Sequence, residues 1–171
     1  MRKTEPQDLG TMTGRHIQFC AHKSKIDLHQ LQALFNATAF WAQERQMEDL
    51  EIAIANSDPA ISVWDGDRLI GFARATSDGI YRAAIWDVVI HPDYQGAGLG
   101  SKLVETVLSH PRVNRVERVY LMTTHQQQFY RRVGFQENPS TTLILYNTDP
   151  VSSFSEPHPQ MELLEANTLT V

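Results

Sequence analysis

The sequence predicts a mixed α/β (α+β) fold in which a mostly antiparallel sheet is flanked by about four helices. Three observations lead there. Apolar residues recur at helical spacing in two segments near the N-terminus. Asp65-Gly66 and Ser77-Asp78-Gly79 join three strand-like runs as hairpins. A long apolar strand then runs through a glycine-rich loop into an amphipathic helix.

Residues 1–14 read as a loose polar arm, residues 15–146 as one domain, and residues 147–171, rich in Ser, Pro, Thr and acids, as a flexible tail in which Met161 to Ala166 favour one helical turn. Arg15 to His22 is a first strand, with Ile17 and Phe19 on one face. Asp27 stands as an N-cap with Gln30 at the capping-box position, ahead of Leu28, Leu31, Leu34 and Phe35. Glu44 to Asn56 is a second helix with Met47, Leu50 and Ile54 in one stripe, stopped by Asn56-Ser57-Asp58-Pro59. Ile61 to Trp64 and Arg68 to Ala75 flank Asp65-Gly66.

Tyr81 to Ile90 is the longest strand. Strict alternation puts Tyr81, Ala83, Ile85, Asp87 and Val89 on one face and Trp86, Val88 and Ile90 on the other. Leu99, Leu103, Val104, Val107 and Leu108 form the apolar face of a third helix, ended by His110-Pro111. Val116 to Met122 is a further strand. Gln126 to Val133 is a short helix closed by Gly134, and Phe135 to Glu137 with Thr142 to Tyr146 is a final hairpin.

A chain of 171 residues can bury a core without a disulfide or a metal. Cys20 is the only cysteine, so no intramolecular disulfide forms, which suits a reducing compartment. The net charge of -5 argues against a nucleic-acid-binding module. No apolar run has transmembrane length, and Met1 to Gly14 lacks the apolar centre of a secretory signal. The expectation is a cytoplasmic protein with no membrane or nucleic-acid partner. The histidines are scattered without paired ligand spacing, so no metal is expected.

Gln95-Gly96-Ala97-Gly98-Leu99-Gly100 places backbone N–H groups ahead of a helix N-terminus, an arrangement suited to pyrophosphate. A Walker-A loop would need Lys directly after its last glycine, and here Gly100 is followed by Ser101-Lys102. A dinucleotide fold would need its glycines right after the strand. Here His91 to Gln95 intervene, and Ser101 takes the third glycine position. A plain strand–helix connector is the reading without a ligand.

The same six residues fit every defined position of the Gln/Arg-x-x-Gly-x-Gly/Ala loop of the GCN5-related N-acetyltransferases. Phe129-Tyr130-Arg131-Arg132-Val133-Gly134-Phe135 resembles that family's Phe-Tyr-x-x-x-Gly-Phe element. The order of elements is similar as well, and the resemblance runs from about Arg15 to Tyr146. Residues 72–78 and 85–90 are most similar to a cyanobacterial and plastid branch. That branch includes chloroplast enzymes described as serotonin N-acetyltransferases and as protein-lysine acetyltransferases.

The resemblance implies an acetyl-CoA-dependent acyltransferase acting on an amine by direct attack in a ternary complex, with no metal, and in many relatives as a homodimer. The acceptor classes are an arylalkylamine such as serotonin or tryptamine, a polyamine, and a protein lysine or N-terminus. Backbone groups of Val88, Val89 and Ile90 would pair with the pantetheine arm. Gln95 and the N–H groups of Gly96, Ala97, Gly98, Leu99, Gly100 and Ser101 would hold the pyrophosphate, aided by the helix dipole.

Tyr130 matches the family tyrosine beside the thioester sulfur and is the candidate acid; by its spacing alone it is equally a core aromatic. Asp87, a carboxylate in an apolar strand, and His91 at the end of that strand are the candidate bases. Their plain alternatives are an acid bonded to an arginine such as Arg74 and a turn residue before Pro92. His125 is a weaker candidate, with Thr123 and Thr124 placed to hold a water. The segment from Phe35 to Met47 shapes the acceptor side in this family. Phe40, Trp41 and Trp86 are therefore candidates to line an amine pocket, with packing as the alternative.

Two departures stand out. Thr123 occupies the place of a family Asn, or of an Asp in the chloroplast enzymes. Leu143-Ile144-Leu145-Tyr146 replaces their Met-Phe-Trp-Tyr-like ending. A GNAT-fold protein that binds acyl-CoA without turnover is the competing reading.

Overall fold

The computed structural model describes residues 16–145 and 147; the expected N-terminal arm, Tyr146 and the turn from Met161 to Ala166 lie outside the described residues. In chain order the elements are β1 (Ile17–Cys20), α1 (Leu28–Thr38), α2 (Met47–Ala55), β2 (Ala60–Asp65), β3 (Arg68–Ser77), β4 (Arg82–Ile90), α3 (Leu99–Ser109), β5 (Arg118–Tyr120) and α4 (Gln127–Val133). Short 3-10 turns occupy Lys23–Lys25, Phe40–Ala42 and Pro92–Tyr94. The strands form one sheet in the order β1-β2-β3-β4-β5, antiparallel except for the β4–β5 pair. The mixed, mostly antiparallel α/β architecture read from the sequence is the observed one.

Alternation along the strands builds a core on each face of the sheet. Ile61, Val63, Ile70, Ala73, Ala75 and Ile85 meet Leu103, Val104 and Val107 of α3 on one side. Leu69, Phe72 and Val89 meet Leu31, Leu34 and Phe35 of α1 and Leu50 and Ile54 of α2 on the other. Asp27 caps α1 by accepting the Gln30 N–H at 3.1 Å. The Gln30 side chain does not close a capping box. It donates to the Asp67 carbonyl at 3.1 Å and accepts from the Leu69 N–H at 2.8 Å, tying α1 to the β2–β3 hairpin.

One irregularity in β4 shapes everything that follows. Phe72 pairs with Val89 and Arg74 with Trp86, which leaves Asp87 and Val88 opposite Ala73 alone. This is a β-bulge, and Asp87 in it has a left-handed φ of 57°, as the first residue of a G1-type bulge does. The extra residue resets the alternation. Ile85 lies in the core beneath α3, as do Val88 and Ile90, whereas Val89 lies beneath α1. The single face expected for Ile85, Asp87 and Val89 is therefore corrected. Strict period-2 counting has no place for a residue without a cross-strand partner.

β5 pairs with β4 only at Arg82–Arg118, Ala83–Val119 and Ala84–Tyr120, so it is shorter than the run from Val116 to Met122. The β5-side edge of β4 is unpaired from Ile85 onward among the described residues.

The elements named above lie in a compact unit ending at Gln136, and a second unit begins at Glu137. The expected last hairpin is not formed among the described residues: neither 135–137 nor 142–145 is a strand. Asn138 Oδ1 instead accepts from both the N–H and the hydroxyl of Ser140 around Pro139, a local turn. Leu143, Ile144 and Leu145 have strand composition, but composition does not supply a partner.

Candidate active site

The loop after β4 is shaped by its backbone. Gly96 and Gly98 have φ of 77° and 81°, values reserved almost entirely for glycine. A Cβ built on either meets nothing within 4 Å, so the space in front of the loop is open. Gly98 is the N-cap of α3 and contributes no side-chain cap. The first turn of an α-helix has no intrahelical carbonyls for its N–H groups, so those of Leu99, Gly100 and Ser101 are offered to a ligand. Gln95 turns inward, donating its side-chain amide to the Ile90 carbonyl at 2.8 Å and pinning the loop to the end of β4. These residues fit a pyrophosphate: open space beside Gly96 and Gly98, helix-start N–H groups without intrahelical acceptors and the positive end of an 11-residue helix.

The Phe-Tyr-x-x-x-Gly-Phe spacing has a structural cause. The Phe135 N–H bonds to the Tyr130 carbonyl at 3.0 Å, and the Gly134 N–H bonds to the Arg131 carbonyl at 3.1 Å. With Gly134 at φ 109°, this is a Schellman cap closing α4. The Tyr130 and Phe135 rings complete it, edge to face with centroids 5.9 Å apart. Phe129 also packs against Tyr130, at 4.9 Å. The phenol thus has two aromatic neighbours, and burial pushes its pKa above the usual tyrosine value. Its hydroxyl makes no hydrogen bond among the described residues, where no buried side-chain oxygen or nitrogen lacks a partner; the hydroxyl therefore reaches solvent. The Phe129 ring also lies 3.4 Å from the Cβ position of Gly100, so α4 and the glycine loop touch.

The bulge aims Asp87 at the α1–α2 face. Its Oδ2 accepts from Arg74 Nε at 2.6 Å and sits 3.1 Å from Arg45 Nη1. Its Oδ1 accepts no hydrogen bond among the described residues. Arg74 also donates to the buried Ser57 hydroxyl at 3.1 Å. The arginine partner weighed for Asp87 from sequence is Arg74, as named; Arg45 was missed. A signal for it existed, since Arg45 follows Phe40 and Trp41 closely, but nothing in the sequence pairs it with β4.

Phe40 and Trp41 lie on the 3-10 turn between α1 and α2 and are 68% and 41% exposed. Trp86 is on β4, its indole N–H donating to Thr76 Oγ1 at 2.9 Å. The His91 ring is taken up by the turn after β4: Nε2 meets Arg68 Nη2 at 2.8 Å and Nδ1 accepts the Asp93 N–H at 3.2 Å. Thr123 accepts the Gln126 N–H at 3.1 Å at the head of α4, and His125 is exposed. Among the described residues no cluster of His, Cys, Asp and Glu could hold a metal ion, and no helix is long and apolar enough to cross a membrane.

A model of the acetyltransferase (GNAT) family matches residues 28–135. The chain belongs to that family. It is 37% identical over 135 residues to the uncharacterized N-acetyltransferase ycf52 of Gracilaria tenuistipitata var. liui, covering 76% of this chain and 71% of that one. It is 33% identical over 117 residues to the chloroplastic GCN5-related N-acetyltransferase 1 of Arabidopsis thaliana, covering 67% of this chain and 58% of the relative. The crystal structure of a GNAT-family protein from Xanthomonas campestris pv. campestris has a TM-score of 0.67 to it at 26% identity, covering 78% of this chain and 98% of the other. As a GNAT protein the chain is an acyltransferase, and acetyl-CoA is the family's donor.

Proposed function

We propose that the protein transfers the acetyl group of acetyl-CoA to a primary amine, either an arylalkylamine such as serotonin or tryptamine or a protein lysine or N-terminus, by direct attack in a ternary complex. The observation that carries this is the meeting of the glycine loop and α4 at Gly100 and Phe129, beside the unpaired edge of β4. Pantetheine extends that edge like an added strand along Val88, Val89 and Ile90, and the pyrophosphate lies over residues 96–101.

The amine nitrogen attacks the thioester carbonyl, the C–S bond breaks, and the sulfur leaves as a thiolate. A simple thiol has a pKa of ~8.5, below that of a phenol at ~10, and burial raises the Tyr130 phenol further. Proton transfer from Tyr130 to sulfur is therefore uphill. Its first contribution is a hydrogen bond to the developing thiolate, with transfer following. The proton shed by the amine goes to Asp87 Oδ1, the oxygen that the arginines leave without a partner. His91 is assigned to the turn and takes no part. Phe40 and Trp41 stack on the incoming amine. The single cysteine and the need for acetyl-CoA suit a cytoplasmic setting.

Thiol release from acetyl-CoA across serotonin, tryptamine, a polyamine and lysine peptides tests the activity. Turnover of at least one amine is expected; none at all leaves a binding module as the reading. Calorimetry on Gly98→Trp tests the donor site, with acetyl-CoA binding expected to vanish. Retained affinity refutes the pyrophosphate assignment.

A further inference from the structure

Residues 39–46, between α1 and α2, carry the exposed aromatics Phe40 and Trp41, and Arg45 ties them to both α1 and β4. Its carbonyl accepts from Gln32 Nε2 at 2.7 Å. The neighbouring Glu44 is held at a φ of 65°, a left-handed value rare outside glycine. Its N–H is tied to Asn36 Oδ1 at 3.3 Å and its carbonyl to Gln46 Nε2 at 2.8 Å. This backbone sends the Arg45 side chain back over the segment. The guanidinium carbon lies 5.3 Å from both the Phe35 and the Trp41 ring centroids. The end of the side chain reaches the bulge, 3.1 Å from Asp87 Oδ2.

The guanidinium thus spans two parts of the molecule. One is the aromatic turn, and the other is the Asp87 carboxylate, which the bulge turns toward α1 and α2 at the start of the proposed pantetheine-binding segment. Arg74 holds the opposite side of the same oxygen. Asp87 is only 6% exposed, so its pairing with Arg45 is far less screened than a surface ion pair.

We propose that Arg45 is a positioning residue for the acceptor. It latches the Phe40–Trp41 turn onto Asp87, so that the aromatic wall of the amine pocket is built at a fixed distance from the thioester. The inference rests on the acetyltransferase reading. It adds that acceptor recognition, but not donor recognition, depends on one ion pair between the α1–α2 connection and β4. Lysine keeps the charge at this position and loses the planar fork; methionine keeps the reach and loses the charge.

The test uses Arg45→Met and Arg45→Lys in the 171-residue chain with whichever amine the wild type turns over. Arg45→Met is expected to raise the acceptor KM by about tenfold while the acetyl-CoA KM stays within about twofold, and Arg45→Lys is expected to recover most of the loss. A second readout needs no turnover. The chain labelled with 5-fluorotryptophan has its Trp41 resonance assigned by Trp41→Phe. That resonance is expected to shift in Arg45→Met, with those of Trp64 and Trp86 unmoved. An active wild type with an unchanged acceptor KM in Arg45→Met, or an unmoved Trp41 resonance, overturns the latch alone. A wild type inactive toward every amine overturns the acetyltransferase reading and the acceptor role of the latch with it.

Discussion

Phe129 places its ring 3.4 Å from where a Cβ on Gly100 would stand. This is ordinary van der Waals distance, so the two helices meet at Gly100 with room for one methyl group and no more. Gly100 is helical and Gly98 is not, although both belong to one loop motif. Gly100→Ala is therefore expected to melt at or slightly above the wild-type temperature, since alanine gains up to about 1 kcal/mol over glycine in a helix. Gly98→Ala at φ 81° is expected to lose about 1 kcal/mol or more despite the empty space around it. Thermal denaturation of both variants checks the pair; equal shifts of the same sign would falsify this division of roles.

Tyr130→Phe keeps both ring contacts and removes only the hydroxyl. We expect kcat to fall about 100-fold with acetyl-CoA affinity unchanged. Because burial raises the phenol, it keeps its proton until the pH passes about 10, so the alkaline loss of activity due to Tyr130 begins only there. A limb near pH 8 that disappears in Tyr130→Phe contradicts the assignment. So does a variant with wild-type turnover.

Removing the charge of Asp87 strands its arginines. Asp87→Asn leaves Arg74, whose side chain is 17% exposed, without its carboxylate, and we expect a loss of about 2–4 kcal/mol in denaturant unfolding. The pH–rate profile of the same variant separates structure from chemistry. If its acidic limb, where a general base gains its proton, stays at the wild-type pH, Asp87 is an anchor and not the base.

Asp78 holds the β3–β4 turn through Oδ1, which accepts the N–H groups of Ile80, Tyr81 and Arg82 at 2.8, 2.7 and 3.0 Å. These donors, that of Ile80 foremost, hold its carboxyl below the usual carboxylate range. A carboxyl lowered on folding stabilises above its unfolded pKa, and that share is lost as the pH falls through the folded value. Asp78→Ala is accordingly expected to melt below wild type at pH 7. The gap should close as the pH drops below about 4. A gap that is constant with pH shows that the carboxylate's charge is not what the turn uses.

Elements with local causes were legible in the sequence. The Asp27 cap, the β2–β3 hairpin and the glycine at the end of α4 each follow from a few neighbouring residues, and each is present. The loop ahead of α3 was legible for the same reason, because glycines at fixed spacing declare a backbone need, and Gly96 and Gly98 have positive φ. What escaped depends on partners distant in the chain. The Asp87 bulge exists only against Ala73, and Arg45 finds Asp87 only once α1 and α2 cover the sheet. The final hairpin failed in the opposite sense, being locally plausible and lacking a pairing among the described residues.

The bulge also sets what kind of change β4 can absorb. It splits the strand into two halves that are out of phase, so residues before and after it reach the same core by different parity. A substitution at Val88 or Val89 alters packing on one face of the sheet only. Losing or gaining a single residue near Asp87 exchanges every side chain on one half of the strand between α3 and α1. In this part of the chain a change of length reaches more of the structure than a change of residue.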